Sequence, residues 1–223
     1  MGWQTVGFCE IDKFCQKVLQ KHWPGVVIYD DITKLNGTKF AGSVDIISGG
    51  FPCQDISAAN QNGLGLSGPR SRLWFEMLRI VHESQPEYVI GENVANYSRL
   101  ELDVIATGLA AIGYELWPFD IPADSVGLPT VERHIWLIAQ ATSKRCKRSF
   151  EKKVSNVSVL SSEFSRSYPG EFRRWDLPSS RVCGVGERVS RRVDRLRALG
   201  NAIVPQVAYQ IFKAIEAAEQ EEA

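Results

Sequence analysis

"DIISGGFPCQDIS", Asp45–Ser57, runs branched apolar residues into two glycines and sets a proline directly before Cys53. Together with Val44 it reads as a strand that ends in a tight turn, so the cysteine stands at the strand's carboxyl end. Upstream, "QTVGFC" (4–9) reads as a short strand. "DKFCQKVLQKHW" (12–23) follows as a helix with Phe14, Val18 and Leu19 at helical spacing, broken by Pro24-Gly25. "VVIYDDI" (26–32) is a second strand ending in acids. Downstream, "RSRLWFEMLRIVHES" (70–84) places Leu73, Met77, Leu78 and Val81 on one helical face, and "EYVIGEN" (87–93) is a fourth strand. "LELDVIATGLAAIG" (100–113) is a helix closed by Gly113, before strands "YELWPFDI" (114–121) and "ERHIWLIAQ" (132–140). Strands alternating with helices predict an α/β doubly wound domain with a mostly parallel sheet, its last two strands an antiparallel pair.

The 223 residues, 44% hydrophobic and 23% charged, are enough for one well-buried domain with an appendage. There is no apolar run of about eighteen residues and no basic, cleavable leader, so a soluble, cytoplasmic protein is expected. Five cysteines without C-x-x-C spacing and only three histidines argue against a metal site and for reduced thiols. Net charge is zero but unevenly spread: residues 141–197 hold 15 Lys/Arg against 6 Asp/Glu, net +9, leaving 11 against 20, net −9, elsewhere. That basic segment is either a solvated insert or a phosphate-binding surface. Three parts are expected: a catalytic α/β domain over 1–140, a small basic, Ser-rich insert over 141–192, and a C-terminal part over 193–223. The last returns to the domain through a helix with Val207, Ile211 and Ile215 on one face.

In open α/β sheets, ligands bind beyond the carboxyl ends of the strands. Those ends carry Glu10, Asp30 and Asp31, Pro52-Cys53-Gln54, and Glu92-Asn93. A free cysteine is most often a small buried apolar residue. Here the glycines and proline hold the side chain at a set angle, as a nucleophile requires. Glu92 is either a capping or ion-paired carboxylate or the partner of that thiol.

These residues resemble the cytosine-C5 DNA methyltransferases, especially the short bacteriophage and prophage type. "GGFPCQDIS" looks like the nucleophile loop, "GENV" like the Glu-Asn-Val motif, and "GFCEID" with "YDDI" like the cofactor-binding acids. "RLRALGNAIVPQVA" looks like the C-terminal Gly-Asn motif. The resemblance implies a Rossmann-like methyltransferase fold, S-adenosyl-L-methionine as methyl donor and double-stranded DNA as substrate. It assigns Cys53 to attack on cytosine C6 and Glu92 to the base's N3 and exocyclic amine. Glu10 would take the ribose hydroxyls, Asp31 and Ile32 the adenine, and Leu73 an adenine face. Pro52 would border the methyl donor, and Asn201 and Ile203 would take its methionine end. For Leu73 and Ile203 plain core packing is an equal alternative. Gln54 and Ser57 would face DNA, together with Arg166, Arg173, Arg174 and Arg181 of the insert, whose division between bases and phosphates stays open. The expected partner list holds DNA and no membrane or metal, for a monomeric restriction-modification or bacteriophage enzyme.

The chain departs from the family pattern in two places. The family's opening strand and Phe-x-Gly-x-Gly-Gly turn precede the point where "MGWQTVGF" begins, so the edges of two neighbouring strands are expected to lie bare. A separate N-terminal fragment, a truncated frame or a remnant would each account for this. In "LPTVERHIWLIA" the family's paired arginines are replaced: His134 stands in register, while Arg133 is one place out and faces the other side of its strand. Both are carried as catalytic candidates, His134 as donor to the cytosine O2. A DNA-binding remnant without catalysis and a tRNA-methylating relative remain alternative readings.

Overall fold

The computed structural model describes residues 2–51, 73–94, 99–122, 125, 133–142 and 202–220. The elements follow the expected order. β1 (Gly7–Cys9), α1 (Lys13–His22) and β2 (Val27–Tyr29) lead into two 3₁₀ turns, Ile32–Lys34 and Gly37–Phe40. Then come β3 (Ile46–Gly50), α2 (Leu73–Ser84), β4 (Tyr88–Val94), α3 (Arg99–Ala111), β5 (Tyr114–Pro122), β6 (Arg133–Ala141) and α4 (Pro205–Gln220). β1 is shorter than the stretch 4–9 predicts.

Four strands form one sheet in the order β3-β4-β6-β5. β3 and β4 are parallel, and β6 is antiparallel to both β4 and β5, so three strands run one way and β6 alone runs against them. The expected antiparallel pair is present. Among the described residues β5 lies at the edge of this sheet, the position where prolines such as Pro118 and Pro122 are tolerated.

Two apolar layers clamp this sheet. On one face Trp74, Met77 and Val81 of α2 and Ile105 and Leu109 of α3 pack on Val89, Ile135, Leu137 and Ala139. On the other, Val207, Ile211 and Ile215 of α4 pack on Tyr88, Ile90, Trp136 and Ile138. The face of α4 read from the sequence is thus the buried one, and each such fully buried branched side chain contributes about 1.5–3 kcal/mol. In α2 the buried set is Trp74, Met77, Ile80, Val81 and Ser84, a face rotated from the expected Leu73, Met77, Leu78 and Val81. The helix is pressed by the sheet on one side and by the 3₁₀ turns on another, while Leu78 packs toward Gly108 of α3.

β1 and β2 form a separate two-stranded parallel sheet. Among the described residues β1 and β3 each have a strand on one side only. α1 forms where its apolar spacing predicts, yet it contains no buried residue. Ile11 is 73% exposed and Val27 54%, with Trp3, Val6, Val18 and Trp23 also exposed. Parallel strands are ordinarily covered on both faces, so this N-terminal unit carries apolar surface that nothing among the described residues covers. Among the described residues no helix is long and apolar enough to cross a membrane.

Candidate active site

The centre of the site is set by strand register. Gly50 of β3 stands beside Glu92 of β4, and across β4 Trp136 faces Glu92 while His134 faces Val94. Glu92 and His134 are therefore diagonal neighbours projecting from one face of the sheet. Their side chains meet, Nδ1 of the imidazole against Oε1 of the carboxylate, both largely buried. An ionised carboxylate only accepts, so in that state Nδ1 carries the hydrogen and donates it. A neutral ring held this way presents Nε2 as an acceptor, and only the imidazolium donates from both nitrogens. A Cβ on Gly50 would lie 3.3 Å from Oε2 of Glu92, so the glycine leaves the room that the carboxylate occupies.

Asn93, next to Glu92, points to the opposite face and is buried. Its Nδ2 donates to the Phe51 carbonyl at 2.7 Å, and the Phe51 ring packs on Trp74 with centroids 5.2 Å apart. The backbone leaving β3 is thus gripped two residues before Cys53. Asn93, expected at the ligand-binding rim with Glu92, instead points into the core. The available signal was an amide on the buried face of a central strand, which must find a partner.

The acids at the ends of β1 and β2 form a second group. The Glu10 amide donates to the Tyr29 carbonyl at 2.8 Å, extending the ladder, and its Oε1 accepts from the Asp12 amide at 2.7 Å. Asp12 in turn caps α1 by accepting from the Phe14 and Cys15 amides. Asp31 Oδ1 accepts from the amide and hydroxyl of Thr33 at 2.9 and 2.7 Å, and these bonds hold its carboxyl below the usual carboxylate range. Partial desolvation, then the carboxylates of Asp31, Glu10 and Asp30, push the Cys9 thiol up. Three acids therefore share one field at this rim. Ile32 beside them is partly buried against the α2–α3 core layer.

Of the other expected residues, Leu73 is the first residue of α2 and partly buried. Ile203 lies just before α4 and is 39% exposed, which is not core packing. Arg133 faces away from Glu92 and forms an exposed ion pair with Asp120, Nη2 to Oδ2 at 2.7 Å. Pro52, Cys53, Gln54, Ser57, Arg166, Arg173, Arg174, Arg181 and Asn201 lie outside the described residues, as does nearly all of the basic insert. Among the described residues no group of three or more His, Cys, Asp or Glu side chains is placed to hold a metal ion.

The type II methyltransferase M2.BsuMI of Bacillus subtilis is 33% identical over 147 residues, covering 62% of this chain and 36% of the relative. M.PspPI of Psychrobacter sp. is 30% identical over 185 residues, covering 80% and 44%. M.CviJI of Paramecium bursaria Chlorella virus IL3A is 27% identical over 206 residues, covering 92% and 52%. The chain thus spans about half the length of these relatives or less. In fold it is similar to a putative DNA modification methyltransferase encoded within an Escherichia coli prophage, with TM-score 0.53 and 24% identity, covering 66% of this chain and 43% of that one. It is also similar to DNMT2 of Spodoptera frugiperda, with TM-score 0.52 and 19% identity, covering 64% and 44%. The family described as C-5 cytosine-specific DNA methylase, enzymes that take their methyl group from S-adenosyl-L-methionine, matches residues 1–171. With residues 1–171, more than half of its length, matched, the chain belongs to the C-5 cytosine-specific DNA methylase family.

Proposed function

We propose that this chain carries the catalytic part of a DNA (cytosine-5-)-methyltransferase. The observation that carries the reading is the Glu92–His134 pair on the sheet face beside Gly50, with Asn93 gripping the backbone that enters the Cys53 loop. The thiolate of Cys53 adds to C6 of an extruded cytosine, and C5 becomes nucleophilic. Glu92, with its carboxyl protonated, donates to N3, where the charge created by that addition collects, and accepts from the exocyclic amine. With a methyl donor bound, C5 would take its methyl group, and loss of the C5 proton with expulsion of Cys53 would restore the ring. Extrusion from the duplex costs a few kcal/mol, to be met by backbone contacts from the basic insert.

The residues at the β1 and β2 ends fit the adenosine part of the donor. Glu10 and Asp31 are acceptors for ribose and adenine N–H and O–H groups, and Ile32 adds an apolar flank. When bound, S-adenosyl-L-methionine supplies an electrophilic methyl group. This chain's part is to orient it and to exclude water.

The test is transfer of tritium from labelled S-adenosyl-L-methionine to duplex DNA by the wild-type chain, Cys53→Ala and Glu92→Gln. Label in the wild type alone is the expected result, and equal transfer by Cys53→Ala would remove Cys53 from the chemistry. A parallel reaction with tRNA separates the tRNA-methylating reading, which label in tRNA and not in DNA would favour.

The split sheet supports a second reading, a DNA-binding chain that does not turn over alone. Among the described residues β1 and β3 each have one unpaired edge, which with the exposed apolar surface of the N-terminal unit matches a place for one further strand. This reading expects salt-sensitive DNA binding without cofactor affinity. Micromolar binding of S-adenosyl-L-methionine by the isolated chain, measured calorimetrically, would exclude it.

A further inference from the structure

Arg79, near the middle of α2, makes four hydrogen bonds with one guanidinium. Nη2 donates to the Ile32 carbonyl at 2.8 Å, and Nη1 to the Leu35 carbonyl at 2.9 Å and to Glu83 Oε1 at 2.8 Å. Nε donates to Glu76 Oε2 at 2.9 Å. The other oxygen of Glu83 accepts from the Gly37 amide at 2.6 Å, so the same pair also reaches the second 3₁₀ turn. Gly37 is buried, and a Cβ there would come within 2.9 Å of Glu83 Cβ and 3.1 Å of the Ile80 carbonyl, which fixes how closely that turn sits on α2.

This grip acts on the turn that begins at Asp31 and Ile32. Short 3₁₀ turns hold themselves weakly, so their placement has to come from outside. A planar guanidinium can reach two carbonyls and two carboxylates at once because its donors are spread around a rigid fork. A lysine ammonium is a point and cannot. Further along α2, Met77 lies under Gly49 and Trp74 packs on Phe51. One helix thus sets both the acidic turn and the end of β3 from which the Cys53 loop departs.

We propose that Arg79 is a positioning residue for methyl-donor binding: by holding the Ile32 and Leu35 carbonyls it fixes the Asp31–Leu35 turn against which the adenine lies, at a set distance from the nucleophile strand. The inference rests on the assignment of Asp31 and Ile32 to the adenine. The hydrogen bonds of Arg79 go to Ile32, Leu35, Glu76 and Glu83 and to no candidate catalytic group among the described residues, so its removal is expected to weaken donor binding.

The experiment is equilibrium dialysis of the full chain with radiolabelled S-adenosyl-L-methionine, and with adenosine as competitor, for the wild type, Arg79→Lys and Arg79→Met. Circular-dichroism melting reports whether each variant is folded. The expected result is a dissociation constant raised about tenfold or more in Arg79→Lys, by the same factor for the donor and for adenosine, because the disturbed contact lies at the adenine end. A folded Arg79→Lys with affinities within about twofold of wild type would overturn the proposal while leaving the methyltransferase reading intact. Loss of donor affinity with adenosine affinity unchanged would also overturn it, since the disturbance would then lie elsewhere. Arg79→Lys keeps the charge and the stem, so it decides the matter if Arg79→Met fails to fold. No binding by the wild-type chain would overturn the donor assignment and this proposal with it.

Discussion

Asn93 and Gly50 stand on opposite faces of the same sheet and constrain the two halves of the site. Asn93→Ala removes the buried hydrogen bond from Nδ2 to the Phe51 carbonyl, at a cost of about 1–3 kcal/mol. The loss should appear in urea unfolding as a lower midpoint with an unchanged slope. Gly50→Ala is expected to act differently. Its methyl group would press on Oε2 of a carboxylate already engaged by His134, so methyl transfer should fall on the order of tenfold while the melting temperature moves little. A large drop in melting temperature with normal turnover per folded molecule would contradict that account. Glu92 was legible in the sequence as an acid at a strand end, and His134 as a residue standing where an arginine was expected. Their contact was not legible, because it depends on the register between β4 and β6, two strands about forty residues apart.

At the scale of elements, α2 and the turns it holds form one electrostatic unit. The hydrogen bond from Arg79, and then that from the Gly37 amide, hold the Glu83 carboxyl below its usual range. A carboxyl lowered by folding adds stability that is fully present above its ordinary value, about 4.3, and is lost as pH falls through the lowered one. The melting temperature should therefore decline below about pH 4, and Glu83→Gln should flatten that part of the profile. An unchanged slope in the variant would show that the pair does not couple to folding. Gly37→Ala should destabilise the same unit by about 1–3 kcal/mol, measured by thermal melting, because the new methyl group meets backbone as well as side chain. The sequence marked α2 as a helix but not the face it buries. Periodicity counts apolar residues, and it cannot see that the second 3₁₀ turn sits against α2 at Ile80 and Glu83 while Leu78 goes to a neighbouring helix.

For the whole molecule, the core lies in the four-stranded sheet and its two helical layers. Ile211 is fully buried against Tyr88, Trp136 and Ile138, and Ile211→Ala should cost about 2–5 kcal/mol by denaturant titration, its size set by how far the cavity collapses. Apolar residues of β1, α1 and β2 have no equivalent cover, and truncating Ile11 or Val27 to Ala should change stability by less than about 0.5 kcal/mol in the isolated chain. A cost above 1 kcal/mol there would show that the N-terminal unit packs more closely than its exposure indicates.

By itself the sequence determined the order and type of the strands and α-helices and the apolar face of α4, because periodicity and glycine-proline punctuation are local properties of the chain, but not the two 3₁₀ turns. Only the tertiary structure decided that the strands divide into two sheets, that Glu92 meets His134 while Arg133 turns to Asp120, and that Arg79 joins a helix to a turn more than forty residues away. Those contacts are made between residues distant in the chain, where register and packing, rather than local preference, set which side chains come within reach.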